Sequence, residues 1–177
     1  MCPDSGGKCK LTQGSDPDII KDRIRAGGNG SGEGVHTMKR VLLKLSGEAL
    51  AGDKKTGFDE ATCLEVAGQV KKLVDQGIQI AIVTGGGNFW RGRTSETIDR
   101  VKADQIGMLA TVMNCIYVSE IFRYAGMDTE VFTPFTCGAF TTLFSKDAAV
   151  KALETGKVIF FAGGTGHPYF STDTGAV

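Results

Sequence analysis

Residues 78–88, with the sequence IQIAIVTGGGN, decide the fold class of this chain. Only Gln79 and Thr84 interrupt the apolar run before the glycines, and such a run predicts a strand that is buried on both faces. Strands of this kind occur mainly in parallel sheets whose two faces are covered by helices. The three glycines then mark a tight turn at the carboxyl end of the strand.

Strand and helix patterns alternate on both sides of this segment. Further strands are predicted for RVLLKL at 40–45, TEVFT at 129–133 and KVIFFAGGTG at 157–166. Helices are predicted from the spacing of apolar residues and from capping residues between Asp59 and Gly77, from about Lys102 to Tyr124, and between Ser145 and Gly156. A glycine-containing loop is expected up to Gly57. The alternation predicts an α/β fold with a mostly parallel sheet and helices on both faces.

Three of the predicted strands end in glycine-rich turns, LSGEALAG, TGGGN and AGGTGHP. In a parallel sheet these turns lie along one edge, where open α/β sheets bind their ligands. Glycines there let backbone N–H groups approach an oxyanion, and phosphate is the natural candidate. One such turn by itself is better explained as a tight turn or helix cap, but three at the same edge favour a ligand site.

The sequence lacks the motifs of several common nucleotide-binding and hydrolytic folds. It contains no GxxxxGK[ST] P-loop, no GxGxxG after a strand and no GxSxG elbow. These absences disfavour P-loop NTPases, dinucleotide-dependent dehydrogenases and α/β-hydrolases.

Lys44 is unusual because it places a charge inside an apolar strand. It shares one strand face with Leu42 and Ser46, close to the expected ligand edge. A lysine in that position can neutralise charge on a transferred phosphoryl group. The residues alone leave this role and a solvent-facing lysine on an edge strand about equally favoured.

Four other charged residues lie near the same edge. Arg91 and Arg93 follow GGGNFW, and the planar guanidinium suits phosphate, although both also fit as solvated loop residues. Asp104, near the start of the long helix, can complement the helix dipole or accept hydrogen bonds from ribose hydroxyls. Asp173 can hold Mg²⁺, orient a lysine or cap a helix.

The composition disfavours other classes of partner. With 20 basic and 20 acidic residues the formal net charge is zero, so we expect no electrostatic binding to nucleic acid or to a membrane surface. No uninterrupted apolar run reaches the length of a membrane span, and the N-terminus has no signal-peptide core. The five scattered cysteines form no metal-ligand pattern and predict reduced thiols in a cytoplasmic protein.

The two ends of the chain differ from its middle. Residues 1–37 contain eight glycines and no aromatic residue, which predicts a disordered tail, an extension that precedes a natural start at Met38. Residues 38–177 are expected to form one domain. The final STDTGAV resembles a helix start, with Thr172 or Asp173 as cap, so a domain truncated at its C-terminus is expected.

Four segments together, KRVLLKLSGEAL, GGGNFWRG, DQIGMLATVMN and GTGHPYFSTDT, resemble the bacterial uridylate kinases, which have the amino acid kinase fold. The resemblance runs in order from Lys39 to Thr174. It implies an αβα sandwich and transfer of the ATP γ-phosphate to UMP, giving UDP in de novo pyrimidine biosynthesis. It also implies Mg²⁺ bound with ATP, activation by GTP, inhibition by UTP and a homohexamer built on dimers that pack through the long helix.

The same resemblance implies roles for individual residues. The catalytic positions are matched by Lys44, Arg91 and Asp173. The positions that contact ATP are matched by Lys44, Leu45, Ser46, Gly47, Gly87 and Arg91. The positions that contact UMP are matched by Gly86, Asp104, Thr165, Gly166, His167, Pro168, Tyr169, Phe170, Ser171 and Thr172. No residue is assigned as a metal ligand.

The chain departs from the family pattern in three places. His167 stands where asparagine is usual, Trp90 stands where phenylalanine is usual, and the segment that binds adenine beyond Thr174 in the family is absent. We therefore expect the chain by itself to be a poor kinase that keeps its UMP half-site. The alternatives are a kinase of the same fold that acts on a carboxylate or carbamate, and an inactive nucleotide-binding fragment.

Overall fold

The computed structural model describes residues 40–90, 97–170 and 174. The chain divides into Met1–Val35, which lies outside the described residues, and His36–Val177. The tail predicted at residues 1–37 and the helix start predicted near Thr172 and Asp173 also fall outside them.

Five strands form one parallel sheet in the described part of the chain. They are β1 (Arg40–Leu45), β2 (Gln79–Thr84), β3 (Thr129–Thr133), β4 (Thr142–Leu143) and β5 (Val158–Phe161). Their order across the sheet is β1-β2-β5-β3-β4, and every pairing is parallel. In β2 the residues from Ile80 to Thr84 are all buried, which confirms the prediction made from the IQIAIVT run.

This part of the chain contains four α-helices, of which the last three correspond to the helices predicted from the sequence. They are α1 (Gly47–Ala51), α2 (Glu60–Val74), α3 (Arg100–Tyr124) and α4 (Lys146–Glu154). Each has an N-cap side chain that accepts a backbone N–H of the first turn, from Ser46, Asp59, Asp99 and Ser145 respectively. Each of the last three helices is followed by a glycine with positive φ, which ends its C-terminal turn. These glycines are Gly77, Gly126 and Gly156.

Helix α4 covers one face of the sheet. Three of its residues form a buried cluster with one residue each from β2, β3 and β5, namely Ala149, Ala152 and Leu153 with Ala81, Phe132 and Ile159. The strand residues share a face because Ala81 pairs with Ile159, and Phe132 pairs with Phe161, two residues after Ile159.

Helix α3 covers the opposite face. Its Phe122 packs edge-on against Phe160 of β5, with ring centroids 5.3 Å apart. Cys115 Sγ lies 3.2 Å from Thr84 Oγ1 of β2. Because Phe160 and Thr84 alternate along their strands with the residues that face α4, helices cover both faces of the sheet, as the sequence predicts.

Two short elements differ from the sequence prediction. The loop predicted after β1 is partly helical, since residues 47–51 form α1 and a 3-10 turn follows at Gly52–Lys54. A helix this short is stabilised mainly by tertiary packing, here by the buried side chains of Leu50 and Ala51. The two-residue strand β4 was also not predicted, because two residues cannot show a period.

Helix α3 meets one criterion for a membrane-crossing helix, with 25 residues and a mean hydropathy of 1.3 in its most apolar window. A core helix of a parallel α/β domain meets the same criterion. Half of that window is buried within the protein, and α3 carries the buried polar residues Thr111, Asn114 and Ser119. We therefore assign α3 to the core of this domain.

The buried thiols lead to a prediction about chemical reactivity. Burial raises the pKa of Cys63 to about 11 and that of Cys115 to about 12, and nearby Asp59 contributes to the rise at Cys63. Because the thiolate is the reactive form, we expect both to react with iodoacetamide at least ~100-fold more slowly than the half-buried Cys137.

Peptide-resolved mass spectrometry of the native protein measures these rates, and urea-denatured protein serves as the control in which all cysteines react similarly. Native labelling of Cys115 as fast as that of Cys137 would contradict the packing of α3 on the sheet.

Candidate functional site

The turns that follow β1 and β2 contact each other directly. The backbone N–H of Gly85 donates a hydrogen bond of 2.9 Å to the carbonyl oxygen of Leu45. A Cβ atom added to Gly47 would lie 2.7 Å from the carbonyl oxygen of Gly85 and 2.8 Å from the amide nitrogen of Gly87. No side chain fits at residue 47 under these contacts, so the two turns form one continuous backbone surface.

The turn that follows β5 is joined to the same edge through helix α3. The backbone N–H of Gly163 donates to Thr111 Oγ1 at 2.8 Å. Gly86, in the turn after β2, packs on the same helix so closely that an added Cβ would lie 3.0 Å from the carbonyl oxygen of Gly107. Helix α3 therefore aligns the turns of two neighbouring strands.

A buried pair of amide side chains holds the turn after β2 in place. Asn88 and Asn114 donate to each other, at 3.0 Å from Asn88 Nδ2 and at 2.8 Å from Asn114 Nδ2. Asn88 Nδ2 also donates to the carbonyl oxygen of Gly57, and Asn114 Nδ2 donates to that of Gly85 at 2.6 Å. Both side chains are almost fully buried, so their polar groups depend on these partners.

The residues predicted to contact ATP begin at the end of β1. Lys44 is exposed on β1, which lies at the edge of the described sheet, on the same face as the half-exposed Leu42. The carbonyl oxygen of Leu45 is the acceptor for Gly85, and Ser46 Oγ accepts the N–H of Ala49 at 3.0 Å. Leu45 and Ser46 thus hold the backbone of the first turn in its conformation.

Asp104 lies beside the turn that follows β5, at the start of α3. Arg100 Nε donates to both of its carboxylate oxygens at 3.0 Å, and the backbone N–H of Tyr169 donates to Oδ2 at 2.8 Å. The hydrogen bond from Tyr169 is the main cause that lowers the pKa of Asp104; burial opposes it in part, and Arg100 lowers the pKa further. Asp104 is therefore an ionised hydrogen-bond acceptor.

The segment predicted to surround UMP runs from Thr165 to Thr172, and the structure describes it as far as Phe170. The backbone N–H of His167 donates to Thr165 Oγ1 at 3.3 Å, and the side chains of His167, Tyr169 and Phe170 are exposed. The remaining predicted site residues lie outside the described residues, namely Arg91, Ser171, Thr172 and Asp173.

Trp90 anchors the turn after β2 to the first turns of α3. Its indole Nε1 donates to the carbonyl oxygen of Ala103 at 2.8 Å, next to Asp104. Phenylalanine, which the resemblance leads one to expect here, has no donor for this hydrogen bond.

Residues 40–90, 97–170 and 174 contain no group of three or more His, Cys, Asp or Glu side chains that could hold a metal ion. A divalent cation such as Mg²⁺ needs several oxygen ligands.

A family model described as the amino acid kinase family matches residues 39–177, which is most of the chain. The chain belongs to the amino acid kinase family. Two solved structures are similar to this family member. The UMP kinase from Bacillus anthracis is 36% identical with a TM-score of 0.74, and the match covers 78% of this chain and 58% of that one. The UMP kinase from Ureaplasma parvum is 32% identical with a TM-score of 0.73, over 78% of this chain and 61% of that one. This chain thus spans about three fifths of the length of either enzyme.

Some residues that hold the turns of this amino acid kinase together were not recognised from the sequence. Thr111 and Asn114 lie in the segment DQIGMLATVMN, and Asn88 lies in GGGN, but no role was assigned to them. Polar residues at i and i+3 on an apolar helix were the available signal, because buried polar groups need partners. For Arg100 the only signal in the sequence was its spacing of four residues from Asp104, and such pairs are common on solvated helix faces.

Proposed function

We propose that this protein is a UMP kinase, which transfers the γ-phosphate of ATP to UMP. The observation that carries the proposal is the meeting of three glycine-rich turns at one sheet edge beside the ionised carboxylate of Asp104. Clustered backbone N–H groups suit phosphates, and a carboxylate suits ribose hydroxyls. The similarity to two UMP kinases supports UMP as the acceptor.

In this proposal the protein works by positioning and charge neutralisation. Lys44 neutralises charge on the transferred phosphoryl group, with Arg91 at the phosphate junction and Asp173 organising that group. The backbone of Gly47 and Gly87 lines the ATP phosphates. UMP lies along the turn after β5, with its ribose at Asp104 and its phosphate near Gly86. Mg²⁺, when bound with ATP, supplies further neutralisation of phosphate charge.

The remaining parts of the proposal rest on the resemblance. They are ATP as donor, GTP as activator, UTP as inhibitor, a homohexamer and a cytoplasmic location. Because the chain spans about three fifths of the two UMP kinases, turnover by this chain belongs to the proposal too.

A thermal-shift panel tests the acceptor. We expect UMP and UTP each to raise the melting temperature of the full chain. At a concentration 100 times its Kd, a ligand adds about 2.7 kcal/mol to the free energy of unfolding. Uridine, which lacks the phosphate, is the matched control and should stabilise far less. Stabilisation by glutamate or aspartate without any by UMP would favour an amino acid acceptor and contradict the proposal.

Lys44→Ala tests the role of the lysine in a coupled assay of ADP release with UMP and ATP. We expect turnover to fall about 100-fold, as when one stabilising donor is removed from a transition state, while the thermal shift with UMP is kept. The control is Lys151→Ala, which removes an exposed lysine of α4. Turnover that survives Lys44→Ala would contradict the catalytic role of Lys44.

A further inference from the structure

Three residues join the start of α3 to the turn after β5. Asp104 accepts hydrogen bonds from Arg100 Nε, on both oxygens, and from the backbone N–H of Tyr169. The guanidinium carbon of Arg100 also lies 5.8 Å from the centroid of the Tyr169 ring, within the range of a cation–π contact. Arg100, Asp104 and Tyr169 thus form a closed triangle of contacts, called here the latch.

The backbone of Tyr169 shows why the latch matters. Its φ is +69°, in the left-handed region that residues other than glycine rarely adopt. The side chain is 69% exposed, so burial does little to hold this conformation. The hydrogen bond to Asp104 and the contact with Arg100 therefore offset the strain and fix the turn in its observed path.

We propose that Arg100 is a positioning residue for nucleotide binding. It orients Asp104 so that the carboxylate holds the turn after β5 and at the same time accepts a hydrogen bond from a ribose hydroxyl. A carboxylate offers about four acceptor directions, of which Arg100 uses two and Tyr169 one. In this proposal the fourth accepts a hydrogen bond from the ligand. The identity of that ligand rests on the proposed function, whereas the latch rests on these contacts alone.

A second ion pair on the same helix provides a matched control. Arg123 Nη1 lies 3.3 Å from Glu120 Oε1 near the other end of α3, and both side chains are well exposed. Such an exposed ion pair contributes little to the free energy of unfolding. The Arg100 pair differs because the side chain of Asp104 is only 16% exposed and because it has Tyr169 as a further partner.

The binding test compares wild type, Arg100→Gln, Arg100→Lys and Arg123→Gln as full chains. Calorimetry measures the Kd for UMP and for its 2′-deoxy and 3′-deoxy forms. We expect Arg100→Gln to weaken UMP about 10-fold, the effect of one charge-assisted hydrogen bond, and to reduce the preference for UMP over at least one deoxy form. Arg100→Lys should restore part of the affinity, and Arg123→Gln should match wild type. Unchanged affinity in Arg100→Gln, or an equal loss for all three nucleotides, would overturn the proposal.

A second measurement needs no nucleotide. Amide hydrogen exchange at Tyr169, followed by NMR, should be about 5-fold faster in Arg100→Gln than in wild type or Arg123→Gln, because the latch is weakened. If wild type fails to bind UMP, the proposed function fails, and the exchange rate still decides on the latch. Unchanged exchange at Tyr169 would overturn the latch even if UMP binds.

Discussion

Gly47→Ala is expected to destabilise the protein by about 3 kcal/mol or more, a large cost for one methyl group. The added Cβ would lie 2.6 Å from Asn88 Oδ1, 2.7 Å from the carbonyl oxygen of Gly85 and 2.8 Å from the amide nitrogen of Gly87. Two of these three atoms are backbone atoms of the turn that ends β2, and Asn88 is buried, so none can move away at low cost. Urea denaturation measures the effect as a lower midpoint at an unchanged slope.

Gly68→Ala is the matched control for that experiment. Gly68 lies inside α2, and no atom lies within 4 Å of the Cβ that alanine would add. Alanine should therefore stabilise the helix by about 0.5–1 kcal/mol. The two alanine substitutions are thus expected to have opposite signs. A neutral or stabilising effect of Gly47→Ala would contradict the close contact between the turns after β1 and β2.

Asn114→Leu is expected to destabilise the protein by about 2–5 kcal/mol, because one buried and one partly buried acceptor lose their donor. These are Asn88 Oδ1 and the carbonyl oxygen of Gly85, which accept from Asn114 Nδ2 at 2.8 Å and 2.6 Å. Leucine has a similar size, so the cost reflects lost hydrogen bonds more than a cavity. Denaturant unfolding of the full chain measures it.

Ser119→Ala and a double-mutant cycle are the controls for Asn114. Ser119 is also buried on α3, but its Oγ donates only within the helix, to the carbonyl oxygen of Ile116 at 2.8 Å, so its loss should cost less than about 1 kcal/mol. The double variant Asn88→Leu with Asn114→Leu should lose less free energy of unfolding than the two single variants lose in sum, by about 1 kcal/mol or more. Strictly additive effects would contradict the paired amides.

The resemblance of four sequence segments to the uridylate kinases correctly predicted membership of the amino acid kinase family. Several motifs in a fixed order rarely occur by chance. The resemblance implied that Asp104 and the segment from Thr165 both contact UMP, which stays a prediction; in the structure the backbone N–H of Tyr169 donates to Asp104. It assigned no role to Asn88 and Asn114, which are 26 positions apart, or to Arg100, which lies only four positions before Asp104.

The sequence by itself determined the longer helices and strands of the fold and the parallel direction of the strands. The buried run of β2 required a sheet covered on both faces, and the capping residues Asp59 and Ser145 set where two helices begin. These features are readable because each depends on residues within a few positions of one another. The helical start at Gly47 was missed because burial of Leu50 and Ala51, a tertiary effect, stabilises it.

Only the tertiary structure decided which polar groups meet at the edge of the sheet. Asn88 and Asn114 are 26 positions apart, and Asp104 and Tyr169 are 65 positions apart. Their contacts depend on how α3 crosses the sheet and on the path of the turn after β5, where Tyr169 adopts a positive φ. Local periodicity carries no information on such distances, because it fixes the face on which a residue lies but not the neighbour that it finds there.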